Sequence, residues 1–186
     1  MFQQEGFKSM FFFLKLIFIF FPFISKVERF VNIYRKYEIA SYKKKGCSIG
    51  DRTMLYRVTL SSSSKGDEFS IGDNCTLTNC TLLGHDASPV LYIPELVKFD
   101  NYYRSGSRLS YRKKIIIGNN VFIGYGAIIL PGVNIKDNVV VAAGSVVVND
   151  IIEPGVYAGN PAKKIKNIEL YTKKYREILS NNPELF

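Results

Sequence analysis

Apolar residues recur every six positions along much of this chain. Between residues 117 and 152 the sequence divides into IGNNVF, IGYGAI, ILPGVN, IKDNVV, VAAGSV and VVNDII, and every hexad begins with Ile or Val. An earlier copy starts at Ile71 (IGDNCT, LTNCTL, LGHDAS), which puts Leu77 and Leu83 in the same register, and a weaker copy starts at Ile49. An amphipathic helix needs a period near 3.6 and a half-buried strand a period of 2, so neither element alone explains this pattern.

Each hexad predicts a short strand with one inward side chain, followed by a turn in which Gly, Asn or Asp accepts an unusual backbone conformation. A single hexad cannot bury its own apolar face. Strands stacked on their counterparts one coil later form continuous aliphatic ladders and supply the core. We therefore expect residues 46–167 to form an all-β solenoid, with a loop at 89–114 where the register lapses.

Different patterns flank the repeat. Residues 10–24 (MFFFLKLIFIFFPFI) are too short and interrupted for a membrane-spanning helix, which needs about 20 apolar residues. The residues that follow lack the small side chains of a signal-peptide cleavage site. We expect residues 1–45 to form a basic helical segment. Its part from residue 8 to 45 either makes a peripheral contact with the inner membrane or packs on the oligomer.

At the other end of the chain, residues 168–186 are predicted to form a C-terminal helix and tail. Apolar side chains recur there at helical spacing in IELYTKKYREILS. Such a helix would cap the open end of the solenoid, because a terminal repeat has no further coil to stack on.

The formal net charge is +9, which favours polyanionic partners. We expect no nucleic-acid partner, because no helix-turn-helix, zinc-finger or RNP-like pattern accompanies the basic clusters. Three cysteines without metal-binding spacing are predicted to be buried apolar side chains of a cytoplasmic protein. We also expect no metal cofactor. A zinc-dependent β-helix hydratase would need three histidines, and the chain has one.

Segment 117–165, with its LPGV turn, its AAGSVV hexad and its GNPAKKI ending, resembles the C-terminal half of hexapeptide-repeat sugar O-acetyltransferases. The resemblance extends over about residues 46–167. It implies a left-handed parallel β-helix with three hexads per triangular coil, and a homotrimer with acetyl-CoA lying between neighbouring subunits. The handedness comes from the resemblance alone, since the general rule for parallel crossovers favours the right-handed sense.

His85, in LLGHDAS, is the only histidine of the chain and directly precedes the lapse in the repeat. Acetyl transfer to a hydroxyl needs a base that titrates near neutrality, and histidine side chains meet this need without large tuning. Relatives of this family carry their catalytic histidine at the corresponding rim position, often followed by Asp. The resemblance therefore implies that His85 is the general base and that Asp86 either orients its ring or holds the loop.

The loop 89–114 is a candidate platform for a carbohydrate acceptor, because long irregular loops in compact repeats are usually functional. Tyr102 and Tyr103 could stack on sugar faces. Arg104, together with Arg108 and Arg112, could hold a phosphate or carboxylate. The alternative is that these side chains pack in the trimer.

Small residues are expected along the pantetheine arm of acetyl-CoA, an extended amide chain that pairs with strand backbone. The residues that fit are Gly124, Ala142, Ala143 and Gly144, with contacts near Tyr125 implied by the resemblance. This chain has Tyr125 and Asn149 where relatives often have Ser and Lys, which puts their side-chain contacts in question. The resemblance also implies that Lys163 and Lys166 meet the phosphates of CoA; the alternative is that they are solvated tail lysines.

Taken together, these features predict an acetyl-CoA-dependent O-acetyltransferase that acts on a sugar hydroxyl of a surface polysaccharide or its precursor. The enzyme is expected in the cytoplasm, at the cytoplasmic face of the membrane if the N-terminal segment binds there. An N-acetyltransferase of a nucleotide-linked amino sugar is an alternative, because an amine acceptor must also lose a proton. A noncatalytic β-helix scaffold is a second alternative.

Overall fold

The computed structural model describes residues 16–17, 28–63, 65–99, 101, 103–104 and 106–186. The chain divides into two compact units, one ending at Lys44 and one beginning at Lys45. Within the first unit, helix α1 (Glu28–Lys44) falls in the segment predicted to be helical. Most of the apolar stretch 10–24 lies outside the described residues. No helix within the described ranges is long and apolar enough to cross a membrane.

The second unit is built from very short strands. They are β1 (Cys47–Ile49), β2 (Met54–Tyr56), β3 (Thr59–Ser61), β4 (Phe69–Ile71), β5 (Thr76–Thr78), β6 (Thr81–Leu83), β7 (His85–Asp86), β8 (Tyr111–Arg112), β9 (Ile115–Ile117), β10 (Phe122–Ile123), β11 (Ile128–Ile129), β12 (Asn134–Ile135), β13 (Val139–Val141), β14 (Val146–Val147), β15 (Gly155–Gly159) and β16 (Ala162–Lys166). Strands β7 and β8 form a separate antiparallel pair.

Successive strands join three parallel sheets in turn. Sheet A contains β1, β4, β9 and β12, sheet B contains β2, β5, β10, β13 and β15, and sheet C contains β3, β6, β11 and β14. Each group of three consecutive strands therefore makes one triangular coil that stacks on the next coil. Strand β16 folds back antiparallel on β15 and ends sheet B.

One aliphatic side chain from each of the strands β1–β6 and β9–β14 points into the coil, in register with its counterparts above and below. From the second coil onward these side chains are at most 2% exposed. The three ladders are Ile49–Ile71–Ile117–Ile135 in sheet A, Leu55–Leu77–Ile123–Val141 in sheet B and Leu60–Leu82–Ile129–Val147 in sheet C. The six-residue period predicted these ladders because every hexad contributes one inward residue to one face.

One predicted ladder residue is wrong. Leu83 was expected in register with Leu77, but Leu82 is the fully buried residue that pairs with Ile129, and Leu83 is half-buried. The corner after Leu77 is shorter by one residue than a regular hexad. Asn79, which adopts a left-handed φ of 41°, closes this tighter turn.

The three cysteines lie inside the coils, as predicted. Cys47, Cys75 and Cys80 are free thiols and are at most 3% exposed. Burial raises the pKa of Cys47 and of Cys80 to about 12. Because the thiolate is the reactive form, these side chains are packing residues and not nucleophiles.

Helix α2 (Ile168–Asn181) follows β16. It occupies the segment whose apolar spacing predicts a helix. None of its residues is buried within the chain, and Leu170 and Leu179 are about half exposed. Its apolar side chains therefore contribute little to the core of this single chain.

We expect Ile129→Ala to lower the free energy of unfolding by about 2–5 kcal/mol, because it leaves a cavity in the middle of the sheet C ladder. Ile152→Ala is the matched control, since that side chain is 71% exposed. Its effect should stay within about 0.5 kcal/mol. Urea unfolding followed by circular dichroism measures both values, and equal losses from the two variants would contradict the ladder.

Candidate active site

His85 lies where the chain leaves sheet C. It follows β6 after Gly84, whose N–H donates to the carbonyl oxygen of Ser61 at 3.0 Å. Strand β7 then pairs with β8, which places His85 opposite Arg112. The imidazole side chain is 25% exposed, so solvent can reach it.

A buried carboxylate holds the imidazole. Asp67 Oδ2 lies 3.2 Å from His85 Nδ1, and the side chain of Asp67 is fully buried. The same oxygen accepts a hydrogen bond from the N–H of Ser63 at 2.5 Å. Because a carboxylate only accepts hydrogen bonds, the neutral ring must carry its proton on Nδ1, which leaves Nε2 with the lone pair.

Arg112 occupies the other side of this carboxylate. Its Nε lies 3.1 Å from Asp67 Oδ1, close enough for an ion pair but without hydrogen-bond geometry. Its Nη2 donates to Ser63 Oγ at 3.0 Å and its Nη1 to the carbonyl oxygen of Ser110 at 3.3 Å. Sequence reasoning suggested Arg112 as a ligand for an acceptor anion, but the structure turns its guanidinium onto Asp67.

Asp86 serves the loop that follows the histidine. Its carboxylate accepts hydrogen bonds from the N–H of Ser88 at 2.8 Å and from the hydroxyl of Ser88 at 2.9 Å. These two bonds lower the pKa of the Asp86 carboxyl. Of the two roles predicted for Asp86, the geometry therefore matches the holding of the loop, and Asp67 is the residue placed to orient the ring.

Sequence reasoning missed Asp67, although a signal was available. Asp67 ends the insertion that follows Ser61, at the same corner of the prism that His85 occupies one coil later. An acidic residue one coil before a candidate base, at the same corner, is therefore worth testing as its partner. The turn before β6 is one residue shorter than in a regular hexad, and the six-residue register therefore did not reveal this alignment.

Gly84 makes room for the buried carboxylate. A Cβ atom at Gly84 would lie 2.7 Å from Asp67 Cβ and 2.7 Å from the carbonyl oxygen of Ser61. Real Cβ atoms do not approach other atoms this closely. Only glycine therefore lets the chain pass over Asp67 on its way to His85.

The described part of the predicted loop 89–114 contains two short 3₁₀ helices and folds back on itself, and we call it the hairpin. Val97 and Arg108 form an antiparallel bridge, and the N–H of Lys98 donates to the carbonyl oxygen of Ser107 at 2.7 Å. At its tip, the guanidinium of Arg104 lies 4.1 Å from the centre of the Phe99 ring, and Tyr103 is fully exposed. Tyr102 lies outside the described residues.

The residues predicted to line the CoA arm meet at a different corner, where the chain passes from sheet B to sheet C. Gly124 and Tyr125 lie in one coil and Ala142, Ala143 and Gly144 in the next. The N–H of Gly144 donates to the carbonyl oxygen of Tyr125 at 2.8 Å. A Cβ atom at Gly124 would lie 2.6 Å from the N atom of Ala143, so the two turns stack backbone on backbone.

The three polar residues predicted to bind CoA are exposed but do not lie together. Lys163 and Lys166 lie on β16, at the end of sheet B. Lys164, between them, instead pairs with Glu153, with Nζ 2.8 Å from Oε2. Asn149 follows β14 and is therefore at the opposite edge of sheet C from Gly144.

His85 and the glycine-rich corner thus lie at opposite ends of the strands of sheet C. Gly124–Gly126 and Ala142–Gly144 directly precede β11 and β14, whereas His85 follows β6 in the same sheet. Within the described ranges, no cluster of three or more His, Cys, Asp or Glu side chains is placed to hold a metal ion. The chemistry that these groups offer is proton transfer at Nε2 of His85.

Comparison with known proteins identifies the family. The family model for the hexapeptide repeat of succinyl-transferase matches residues 114–148. The crystal structure of a maltose O-acetyltransferase from Clostridium difficile 630 superposes with a TM-score of 0.51 at 32% identity, over 66% of this chain and 59% of that chain. Protein CapG from Staphylococcus aureus is 39% identical over 137 residues, which are 73% of this chain and 74% of CapG. The chain belongs to the hexapeptide-repeat acetyltransferase family.

A hexapeptide-repeat acetyltransferase from Vibrio cholerae, solved in complex with acetyl-CoA, superposes with a TM-score of 0.51 at 25% identity, over 67% of this chain and 61% of that chain. These neighbours imply that the three-sided coil is a left-handed β-helix. The resemblance found in the sequence, and with it the prediction of an acyltransferase family, is confirmed. Several other curated relatives match over only 28–47% of their own length.

Gly84→Ala should lower the free energy of unfolding by about 1–3 kcal/mol, because the added methyl group overpacks the corner and displaces Asp67. It should also change the ring ¹⁵N signals of His85, the only histidine. Gly66→Ala is the control: its φ of 85° makes alanine strained, but nothing lies within 4 Å of the added Cβ. Unaltered ring signals in Gly84→Ala, or altered ones in Gly66→Ala, would contradict this packing.

Proposed function

We propose that this protein transfers the acetyl group of acetyl-CoA directly to a sugar hydroxyl of a surface polysaccharide or its precursor, with His85 as the general base. The observation that carries the proposal is the buried Asp67 carboxylate on Nδ1 of a partly exposed imidazole. It leaves the lone pair of Nε2 available for an acceptor proton. The maltose O-acetyltransferase neighbour supports a sugar acceptor.

In the proposed reaction the sugar hydroxyl donates its hydrogen bond to Nε2 of His85, and the hydroxyl oxygen attacks the thioester carbonyl carbon. The proton passes to Nε2 as the carbon–oxygen bond forms. The C–S bond of the tetrahedral intermediate then breaks, and the imidazolium returns the proton to the sulfur of CoA. The negative charge of Asp67 stabilises the imidazolium between these two steps.

Acetyl-CoA is the proposed donor. The Vibrio cholerae neighbour was solved with this compound. Here Gly126, Ala143 and Gly144 are exposed small residues on the stacked turns, beside the exposed Tyr125, and an extended amide chain can lie close to their backbone. Lys163 and Lys166 supply positive charge on β16 for the phosphates.

We further propose that the protein acts as a homotrimer with each site shared between two subunits. In one chain the base and the glycine-rich corner lie at opposite edges of sheet C, with the strands between them. Packing the edge that carries His85 against the Gly124 corner of a neighbour brings the two halves together. This arrangement explains why one chain holds two half-sites and not one complete site.

The acceptor is proposed to lie on the hairpin that follows His85. Its exposed Tyr103, and Arg104 stacked on Phe99, offer an aromatic face and a positive charge for a sugar and its substituents.

We propose a cytoplasmic enzyme with peripheral membrane contact through residues 8–45. The net charge of +9 and the basic last turn of α1 support contact with anionic headgroups. Such contact would favour a lipid-linked precursor.

His85→Ala should reduce acetyl transfer from acetyl-CoA to glycan acceptors by about 10²–10⁴-fold, because the acceptor loses its base. The variant should keep the thermal stabilisation that CoA gives the parent chain, since His85 does not hold the cofactor. Mass spectrometry of the product followed by alkaline hydrolysis separates an ester from an amide. Equal product from His85→Ala and the parent would remove the base from the proposal, and an alkali-stable product would make the acceptor an amine.

Lys163→Gln and Lys166→Gln should each raise the KM for acetyl-CoA several-fold, by about 1 kcal/mol of lost charge-assisted binding. Lys164→Gln carries the same charge change on the same strand, but Lys164 is already paired with Glu153, so its KM should hardly change. Kinetics with acetyl-dephospho-CoA identify which lysine meets the 3′-phosphate, because its variant then loses nothing further. Equal KM changes for all three variants would indicate only a general field effect.

A further inference from the structure

We infer that Arg112 is a positioning residue for the proposed base: it fixes the Asp67 carboxylate, and through it the proton-accepting orientation of His85. The inference rests on the proposed function of His85. It assigns Arg112 a role through Asp67 and not on the acceptor itself.

Arg112 lies on β8, where the hairpin returns to the coil, and it is the cross-strand partner of His85 on β7. The hairpin can therefore pair with β7 only if Arg112 arrives beside the histidine. The imidazole of His85 and the guanidinium of Arg112 then contact the same Asp67 carboxylate from two adjacent strands.

The two oxygens of the Asp67 carboxylate have different partners. Oδ2 of Asp67 takes His85 and the N–H of Ser63, while Oδ1 faces Nε of Arg112 at 3.1 Å. Apart from that cation, Oδ1 has no hydrogen-bond donor among the described residues, although it is fully buried. Since an uncompensated buried charge is costly, loss of Arg112 would leave Oδ1 to find another partner, and the carboxylate would rotate away from the imidazole.

Hydrogen bonds anchor the hairpin on the segment between β3 and β4. Arg112 Nη2 donates to Ser63 Oγ, and Ser63 also donates its N–H to Asp67. Elsewhere on the hairpin, Nζ of Lys65 donates to the carbonyl oxygen of Arg108 at 3.1 Å. The contacts that anchor the hairpin therefore also hold the Asp67 carboxylate, and through it the imidazole of His85.

The test compares Arg112→Gln, Arg112→Lys and Lys114→Gln in the full chain. Lys114→Gln is the matched control, because this exposed lysine lies two positions away and loses the same charge. The first readout is the ring ¹⁵N spectrum of His85, which reports one ring because the chain has one histidine. We expect the Nδ1-protonated form in the parent and in Lys114→Gln, a mixture of the two tautomers in Arg112→Gln, and partial recovery in Arg112→Lys.

The second readout is the division of the kinetic effect. Arg112→Gln should lower kcat by about 10- to 100-fold, as expected when a reacting group is misplaced, and should leave the KM for acetyl-CoA within twofold. Parent-like ring signals with parent-like kcat in Arg112→Gln would overturn the inference. So would a raised KM for the acceptor with unchanged kcat, which would return Arg112 to the role of an anion ligand.

The failures of the two proposals are distinguishable, because the ring spectrum needs no turnover. If His85→Ala retains full activity while Arg112→Gln still alters the ring tautomer, the base assignment fails and the positioning stands. If His85→Ala is inactive and Arg112→Gln changes neither the ring nor kcat, the positioning fails and the base assignment stands.

Discussion

The structure depends on one constraint: an aliphatic side chain must enter the coil from each short strand of the three parallel sheets and stack on its counterparts in the first four coils. Burial of such a side chain contributes about 1.5–3 kcal/mol relative to exposure, and it adds to the backbone hydrogen bonds that join each strand of two or three residues to the neighbouring coils. The ladders therefore fix where each corner falls. His85, three positions after Leu82, leaves sheet C at one edge, and Tyr125, two positions after Ile123, enters it at the other.

The corners carry the chemistry because the ladders leave them free to vary. At the His85 corner a turn insertion in one coil supplies Asp67, and the hairpin inserted in the next coil supplies Arg112. A lone buried carboxylate would be costly, so its two oxygens need the imidazole, a backbone N–H and a guanidinium around them. The same set of contacts that makes Asp67 tolerable inside the fold also holds the imidazole in one orientation. The contacts that stabilise this corner therefore also orient the ring that we propose as the base.

Much of this could be read from the sequence because the repeat is local. The period of six identified the inward residues directly, and the Gly and Asn positions identified the turns. The error at Leu83 arose because one turn is a residue shorter, a change that the spacing of leucines alone does not reveal when two leucines are adjacent. The stacking of the turn at Gly124 on the turn at Ala142 and Ala143 agrees with the repeat as well, since equivalent hexads lie one above the other.

What escaped the sequence depends on contacts between insertions. Arg112 belongs to the hairpin, which lacks the six-residue register, so nothing in the period brings it to His85. Asp67 lies in a turn insertion, and its alignment with His85 appears only when the five-residue spacing from Leu77 to Leu82 is taken into account. Asp86, adjacent to the histidine in sequence, was the natural choice for its partner, but adjacent residues of a strand point to opposite sides, and its carboxylate turned to Ser88. The folding of 89–114 into a hairpin is likewise set by pairing of β7 with β8 and not by local periodicity.

The most direct test of the central claim is a crystal structure of the protein with coenzyme A bound. We expect the CoA arm to follow the Gly124–Gly144 corner of one subunit, with its sulfur within roughly 6 Å of Nε2 of His85 of a neighbour and room for one hydroxyl between them. A CoA sulfur remote from this imidazole in every subunit pairing would contradict it.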